Sequence, residues 1–201
     1  MLDQACAQLH QWHLDGHHDW SVSVKLSPLQ FQDPQLLANI QDCLEMHRIA
    51  PRHLILEITE NAVMRDTRAA FALLNSLSAL GVGLCIDDFG TGHSSLLHLK
   101  QLPATELKIG AAFITDLEPG SNAVTILSAL IALGHALDMA VVADGVTNRE
   151  QRQQLERMGC DYFQGHLAGA AVPAARFAQL HARRRVAVAT DALPNGKPAI
   201  T

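Results

Sequence analysis

The sequence lacks the patterns that would place it at a membrane or on nucleic acid. Its longest apolar stretch, residues 123–140, is broken by polar side chains, whereas a membrane span needs roughly 18 uninterrupted apolar residues. The N-terminus does not have the charged-then-apolar order of a signal peptide. The net charge of −5 gives no basic face for a phosphate backbone. We therefore expect a cytoplasmic chain with no membrane segment and no nucleic-acid partner.

The cysteines and histidines also lack metal-binding spacing. The four cysteines are Cys6, Cys43, Cys85 and Cys160, and no C-x-x-C pair occurs among them. The eleven histidines include no H-E-x-x-H pattern. A chain of 201 residues is long enough to build a core without a disulfide framework. The spacing thus predicts reduced, mostly buried thiols and does not favour a structural zinc site.

Strand-like and helix-like segments alternate along the chain. Residue patterning predicts strands at 21–27, 54–59, 81–89, 105–110, 140–145 and 161–165, and helices at 2–14, 34–47, 67–80, 94–100, 121–137, 148–158 and 174–184. Such alternation is typical of parallel strands covered by helices, so the predicted fold class is α/β. We expect one domain over residues 1–186 and a disordered tail over 187–201. No G-x-G-x-x-G follows the first strand, so a dinucleotide site is not predicted.

Polar side chains cluster where the predicted strands end. These residues are Lys25, Glu57, Glu60, Asp87, Asp88, Lys108, Asp144 and Gln164. In a (β/α) barrel the carboxyl ends of the strands meet at one mouth, which is where active sites lie. Glu57, Asp87 and Asp88 offer the hard oxygen ligands that suit Mg²⁺ or Mn²⁺, and two such ions could bridge a phosphate.

Six motifs in this order and spacing resemble the EAL-domain family. They are SVKLS, LILEITE, IDDFGTGHSSL, LKQLPATELKIG, VVADGVTNREQ and GCDYFQGHL. The resemblance covers about residues 1–180. It implies a TIM-like (β/α) barrel, and active members of the family hydrolyse cyclic di-GMP to linear pGpG with Mg²⁺ or Mn²⁺.

The resemblance also assigns roles to individual residues. Glu57, Asp87 and Asp88 match metal ligands, and Asp144 matches a glutamate of the family that is one methylene longer. Lys108 matches the lysine that positions the attacking water. Glu60 matches the glutamate that stabilises the glycine-rich loop, and Gln164 matches a glutamine near the substrate.

Besides the shortened Asp144, three positions lack the ligand or acidic residue of the family pattern. Lys25 stands where the family has an asparagine ligand, Gly110 where it has an aspartate ligand, and Thr147 where it has a glutamate. An ammonium has donors but no acceptor, so Lys25 cannot ligate a cation and would repel it. We predict that Lys25 instead pairs with Glu57 or Asp87. Any Mg²⁺ or Mn²⁺ binding is expected to be weak or absent.

The family's first strand, which carries the Glu-Ala-Leu segment, has no counterpart in this sequence. We therefore expect an incomplete barrel of six β–α units and a leading helix, with exposed strand edges. The interpretations left open are an upstream start, a degraded gene or fragment, and a partner that supplies the missing strand.

Three functions remain open at the level of sequence. The first is a degenerate EAL domain, catalytically impaired, that binds cyclic di-GMP or docks a protein partner or a second copy of the chain. The second is an active or weakly active cyclic di-GMP phosphodiesterase, supported by the retained carboxylates and Lys108. The third is a non-functional fragment.

Overall fold

Six parallel strands form one sheet in sequential order, with each strand hydrogen-bonded to the next along the chain. The computed structural model describes residues 1–65, 67–90, 96–115, 117 and 121–180. The strands are β1 (Val22–Lys25), β2 (Leu54–Thr59), β3 (Gly83–Phe89), β4 (Glu106–Ile109), β5 (Ala140–Ala143) and β6 (Tyr162–Phe163). All six predicted strands are confirmed, and so is the predicted α/β class.

Helices connect and cover the strands. They are α1 (Leu2–Leu14), α2 (Pro28–Phe31), α3 (Leu36–His47), α4 (Glu60–Arg65), α5 (Thr67–Leu80), α6 (Leu96–Leu99), α7 (Ala112–Thr115), α8 (Asn122–Ala136), α9 (Arg149–Met158) and α10 (174–180), with a 3₁₀ turn at Pro51–His53. Within the described residues, no helix is both long and apolar enough to cross a membrane.

The short helices are the main addition to the sequence-based assignment. Patterning did not predict α2, α4 or α7, because four to six residues are too few to show a helical period. It also placed the start of α3 slightly early: Asp33 accepts the Gln35 N–H at 2.9 Å in a turn that precedes the helix. The predicted end of the last helix and the tail over 187–201 lie outside the described residues.

Side-chain alternation divides the sheet into two faces. Along β2, Leu54, Leu56 and Ile58 are buried in the core beneath the helices, and Ile55, Glu57 and Thr59 alternate with them. The helix α8 approaches the sheet closely at Gly134, where a Cβ atom would lie 2.4 Å from the Val141 side chain. The helices therefore seal one face, and polar side chains concentrate on the other.

Candidate active site

An irregularity in β3 aims two neighbouring carboxylates at one place. The register between β3 and β4 shifts between Ile86 and Phe89, and Asp88 has a left-handed φ of +56°. The Asp87 carboxylate accepts the Asp88 backbone N–H at 2.9 Å. In a regular strand, adjacent side chains point to opposite faces. The bulge breaks that alternation, so that Asp87 and Asp88 can share one partner.

That partner is Lys25, at the end of β1. Its ammonium nitrogen lies 2.7 Å from Asp87 Oδ2 and 3.4 Å from Asp88 Oδ2. The Lys25 and Asp88 side chains are about half exposed, whereas the Asp87 side chain is only 5% exposed. The hydrogen bond to Asp87 raises the pKa of Lys25 above the ordinary lysine value, although partial burial opposes the rise. The prediction that Lys25 pairs with Asp87 is therefore confirmed.

A second ion pair lies beside the first and is buried. The Lys108 ammonium donates to Glu57 Oε1 at 2.5 Å, and the two side chains are 5% and 11% exposed. Burial would lower the pKa of Lys108, but the hydrogen bond and the charge of Glu57 outweigh it and leave the pKa raised. Glu57 thus pairs with Lys108. The alternative prediction, that Lys25 pairs with Glu57, does not describe this ion pair.

Glu60 braces the start of the glycine-rich loop. It begins α4 directly after β2, is buried, and accepts the Gly90 backbone N–H at 3.1 Å. Gly90 has a left-handed φ of +90°, a conformation that few other residues adopt. This contact matches the loop-stabilising position predicted for Glu60. The rest of the loop, residues 91–95, lies outside the described residues.

Two further predicted site residues follow β5 and β6. The Asp144 backbone N–H bonds to the Ile109 carbonyl at 3.1 Å, and the side chain is half-buried. The Gln164 N–H bonds to the Ala143 carbonyl at 2.8 Å, which aligns the ends of these strands. Gln164 Oε1 is buried and has no hydrogen-bond partner within the described residues. A buried amide oxygen without a partner is unusual and is typical of a place where a ligand or water binds.

The two remaining substituted positions serve local structure. Gly110 is buried at the end of β4, and its carbonyl accepts the Phe113 N–H at 3.1 Å as the chain turns into α7. Thr147 is exposed, and its hydroxyl lies 3.1 Å from Gln151 Oε1. Gln151 also completes the capping box of α9 with Asn148. Neither position supplies a carboxylate.

Sequence reasoning missed one acidic residue near this site. Glu106 lies two residues before Lys108 on β4, so both side chains project from the same face of the sheet. Burial raises the pKa of Glu106, and the Lys108 charge only partly opposes this rise. The two-residue spacing of Glu106 and Lys108 in a predicted strand could have placed Glu106 on the same face as Lys108.

Three carboxylates of the candidate site form ion pairs with two lysines. Lys25 engages Asp87 and Asp88, and Lys108 engages Glu57, so each of these carboxylates faces an ammonium. No three strand-end carboxylates in the described ranges bring their oxygens within 4.8 Å of one another. Five of the residues expected at this site, Lys25, Glu57, Asp87, Asp88 and Lys108, thus meet at the strand ends as ion pairs.

Comparison with known proteins identifies relatives of this chain. The EAL domain family model matches residues 1–171. The bifunctional diguanylate cyclase/cyclic di-GMP phosphodiesterase MucR of Pseudomonas aeruginosa is 48% identical over 174 residues, which are 87% of this chain and 25% of MucR. The chain spans about a quarter of the length of the curated relatives it matches.

Solved structures share the fold. A MucR phosphodiesterase structure in complex with c-di-GMP has a TM-score of 0.84 and 48% identity, and the match covers 88% of this chain and 71% of that one. A Klebsiella pneumoniae BlrP1 complex with manganese and cyclic di-GMP has a TM-score of 0.74 and 26% identity, with 82% and 42% coverage. The six-stranded sheet therefore corresponds to part of the barrel of these proteins.

Proposed function

This chain belongs to the EAL domain family, and on that premise we propose that it is a regulatory module that binds cyclic di-GMP without hydrolysing it. One observation carries the proposal: the Lys25 ammonium lies between Asp87 and Asp88, at 2.7 Å and 3.4 Å from their oxygens. A fixed positive charge there neutralises the aspartates without binding a water or a phosphate oxygen as a metal ion does.

Ligand binding does not need the same residues as hydrolysis. The half-exposed Lys25 ammonium lies at the strand ends, where it could also donate to a phosphate oxygen of a bound nucleotide. The buried Gln164 Oε1 lacks a partner within the described residues and could accept a hydrogen bond from a base. The related MucR phosphodiesterase has been solved as a c-di-GMP complex, which favours the same nucleotide here.

A second candidate function is metal-dependent hydrolysis of cyclic di-GMP. The Lys25 side chain is 53% exposed, so a divalent cation could displace its ammonium into solvent. Glu57, Asp87, Asp88 and Lys108 would then remain as a partial catalytic set. The phosphodiesterase activity in the name of MucR, a relative at 48% identity, favours this alternative.

Hydrolysis and binding assays separate these functions. With Mn²⁺ and cyclic di-GMP we expect no pGpG from the wild-type chain above the protein-free rate. The double variant Lys25→Asn/Gly110→Asp restores two oxygen ligands, and we expect it to bind Mn²⁺ more tightly than the wild type. Lys100→Asn, which removes an exposed lysine elsewhere, is the matched control and should resemble the wild type.

Calorimetric titration with cyclic di-GMP, without divalent cations and with EDTA, tests binding. We expect a micromolar dissociation constant, equivalent to about −8 kcal/mol. Rapid pGpG formation by the wild type would support the hydrolytic alternative. If the folded chain neither bound nor hydrolysed the nucleotide, both functions would be wrong.

A further inference from the structure

Four potential metal ligands lie between helices α1 and α3. Asp3 and Cys6 are three residues apart on α1, and Cys43 and His47 are four residues apart on α3. Residues at these spacings lie on one face of a helix. The two helices pack together, and Cys6 and Cys43 both belong to the main hydrophobic core. None of these residues belongs to the candidate active site, so the cluster is independent of the proposed function.

The ligand atoms of this cluster are close together. Within the described residues, Asp3, Cys43 and His47 form the only group of three or more His, Cys, Asp or Glu whose ligand atoms all lie within 4.8 Å of one another. His47 Nε2 is 2.8 Å from Asp3 Oδ1. Cys6 lies in the same buried core as Cys43, one helical turn after Asp3, and offers a fourth donor beside the group. One sulfur, one nitrogen and one oxygen therefore surround a single point, with a second sulfur next to it.

The cluster is buried on one side and open on the other. Cys6 is fully buried and Cys43 is 7% exposed, so the sulfur atoms lie in an apolar setting. The His47 side chain is 18% exposed and that of Asp3 is 72% exposed. Asp3 and His47 thus form the solvent side of the cluster, and the two thiols form its buried side. Binding would release the thiol protons to solvent, because the thiolate is the form that ligates a metal.

We propose that Asp3, Cys6, Cys43 and His47 form a structural zinc site that joins α1 to α3. Two sulfurs, one imidazole nitrogen and one carboxylate oxygen are a donor set that zinc binds tetrahedrally. Bonds of about 2.0–2.3 Å separate tetrahedral ligand atoms by roughly 3.3–3.8 Å. The Asp3–His47 hydrogen bond at 2.8 Å must therefore open slightly, which the exposed Asp3 side chain can accommodate.

The direct test is zinc uptake by the reduced full-length chain. Competition with a chromophoric chelator should show one zinc ion bound per chain. Co²⁺ in place of zinc should give the near-ultraviolet band of thiolate-to-cobalt charge transfer. The melting temperature should rise by roughly 5–10 °C at a free zinc concentration about 100 times the dissociation constant.

Variants locate the bound ion. Mutating a residue that only hydrogen-bonds to a metal ligand costs about 10–100-fold in metal affinity. Cys43→Ser removes a ligand itself, so it should weaken zinc binding by at least ~100-fold. Asp3→Asn and His47→Gln change more exposed side chains, so they test the site without disturbing the core. Both should weaken zinc binding, and both should keep the cobalt–thiolate band at saturating Co²⁺.

Two controls distinguish this site from other places where zinc could bind. Cys160 hydrogen-bonds to the Val141 and Tyr162 carbonyls, away from the cluster, so Cys160→Ser should bind zinc as the wild type does. Asp87→Asn should also leave the tightly bound zinc unchanged. The proposal fails if zinc binds no more tightly than micromolar, or if Asp3→Asn, His47→Gln and Cys43→Ser all bind zinc as the wild type does. A Cys6–Cys43 disulfide combined with no zinc uptake after reduction would also overturn it.

Discussion

Two lysines at the strand ends neutralise carboxylates in contrasting settings. Lys108 and Glu57 form a buried pair with side chains 5% and 11% exposed, whereas Lys25 is 53% exposed and spans two aspartates. A buried pair cannot lose one partner without leaving an uncompensated charge, but an exposed ammonium can return to water. We therefore expect Lys108 to contribute more to the stability of the fold than Lys25 does.

Removing the buried lysine should have the largest effect. We expect Lys108→Met to lower the free energy of unfolding by about 3–5 kcal/mol, because Glu57 would remain buried without a partner. Urea unfolding measures this loss. The double variant Lys108→Met/Glu57→Leu should recover most of the stability, since an apolar pair of similar volume often replaces a buried ion pair at little cost. No recovery in the double variant would show that packing, and not the unpaired charge, causes the loss.

Removing the exposed lysine should cost much less. We expect Lys25→Met to lower the free energy of unfolding by about 1–3 kcal/mol at low salt, because the Lys25 ammonium and Asp88 are half exposed but the Asp87 carboxylate is buried. The difference should shrink in 1 M salt, where the Debye length is only about 3 Å. The same variant should gain thermal stabilisation by Mn²⁺, because Asp87 and Asp88 would be released from the ammonium. A large, salt-independent loss would remove the distinction between the two lysines.

Alkaline pH offers a milder test of the buried pair. The pKa of Lys108 is raised in the folded chain, so its stabilising contribution is complete below the unfolded pKa of about 10.4 and is lost as pH rises through the folded value. Above about pH 10, the wild type should therefore lose stability more steeply than Lys108→Met/Glu57→Leu. Unfolding curves at a series of pH values would test this, and parallel loss in both proteins would contradict it.

Replacing Glu106 should change the free energy of unfolding least. Removing its charge should stabilise the chain, whereas removing the charge of Lys108 should destabilise it. Burial raises its pKa in the folded chain, so its favourable contribution is present below the unfolded pKa of about 4.3 and is lost as pH rises through the folded value. Glu106→Gln should consequently be more stable than the wild type at pH 7, and this advantage should disappear near pH 4. A stability difference that did not change with pH would argue against a buried charge.

Sequence patterning predicted the strands because each one combines a short apolar run with a polar end. It predicted which polar residues lie at the strand ends for the same reason, since side chains that follow parallel strands meet at one edge of the sheet. It did not assign the partners of Lys25, for which Glu57 and Asp87 were equally open. The β3 bulge decided between them, because it turns Asp87 and Asp88 toward one ammonium. A bulge depends on register with the neighbouring strand, which the local sequence does not contain.

The cysteines show the same limit more clearly. Their spacing excluded C-x-x-C motifs and did not favour zinc, yet the packing of α1 against α3 buries Cys6 and Cys43 in the same core. The sequence by itself determined the α/β class, the six strands and the polar residues at their ends, because these depend on residue periodicity. The tertiary structure alone decided which lysine neutralises which carboxylate and which distant side chains form the Asp3–Cys6–Cys43–His47 cluster. Those contacts arise from helix packing and strand register, and local residue spacing determines neither of them.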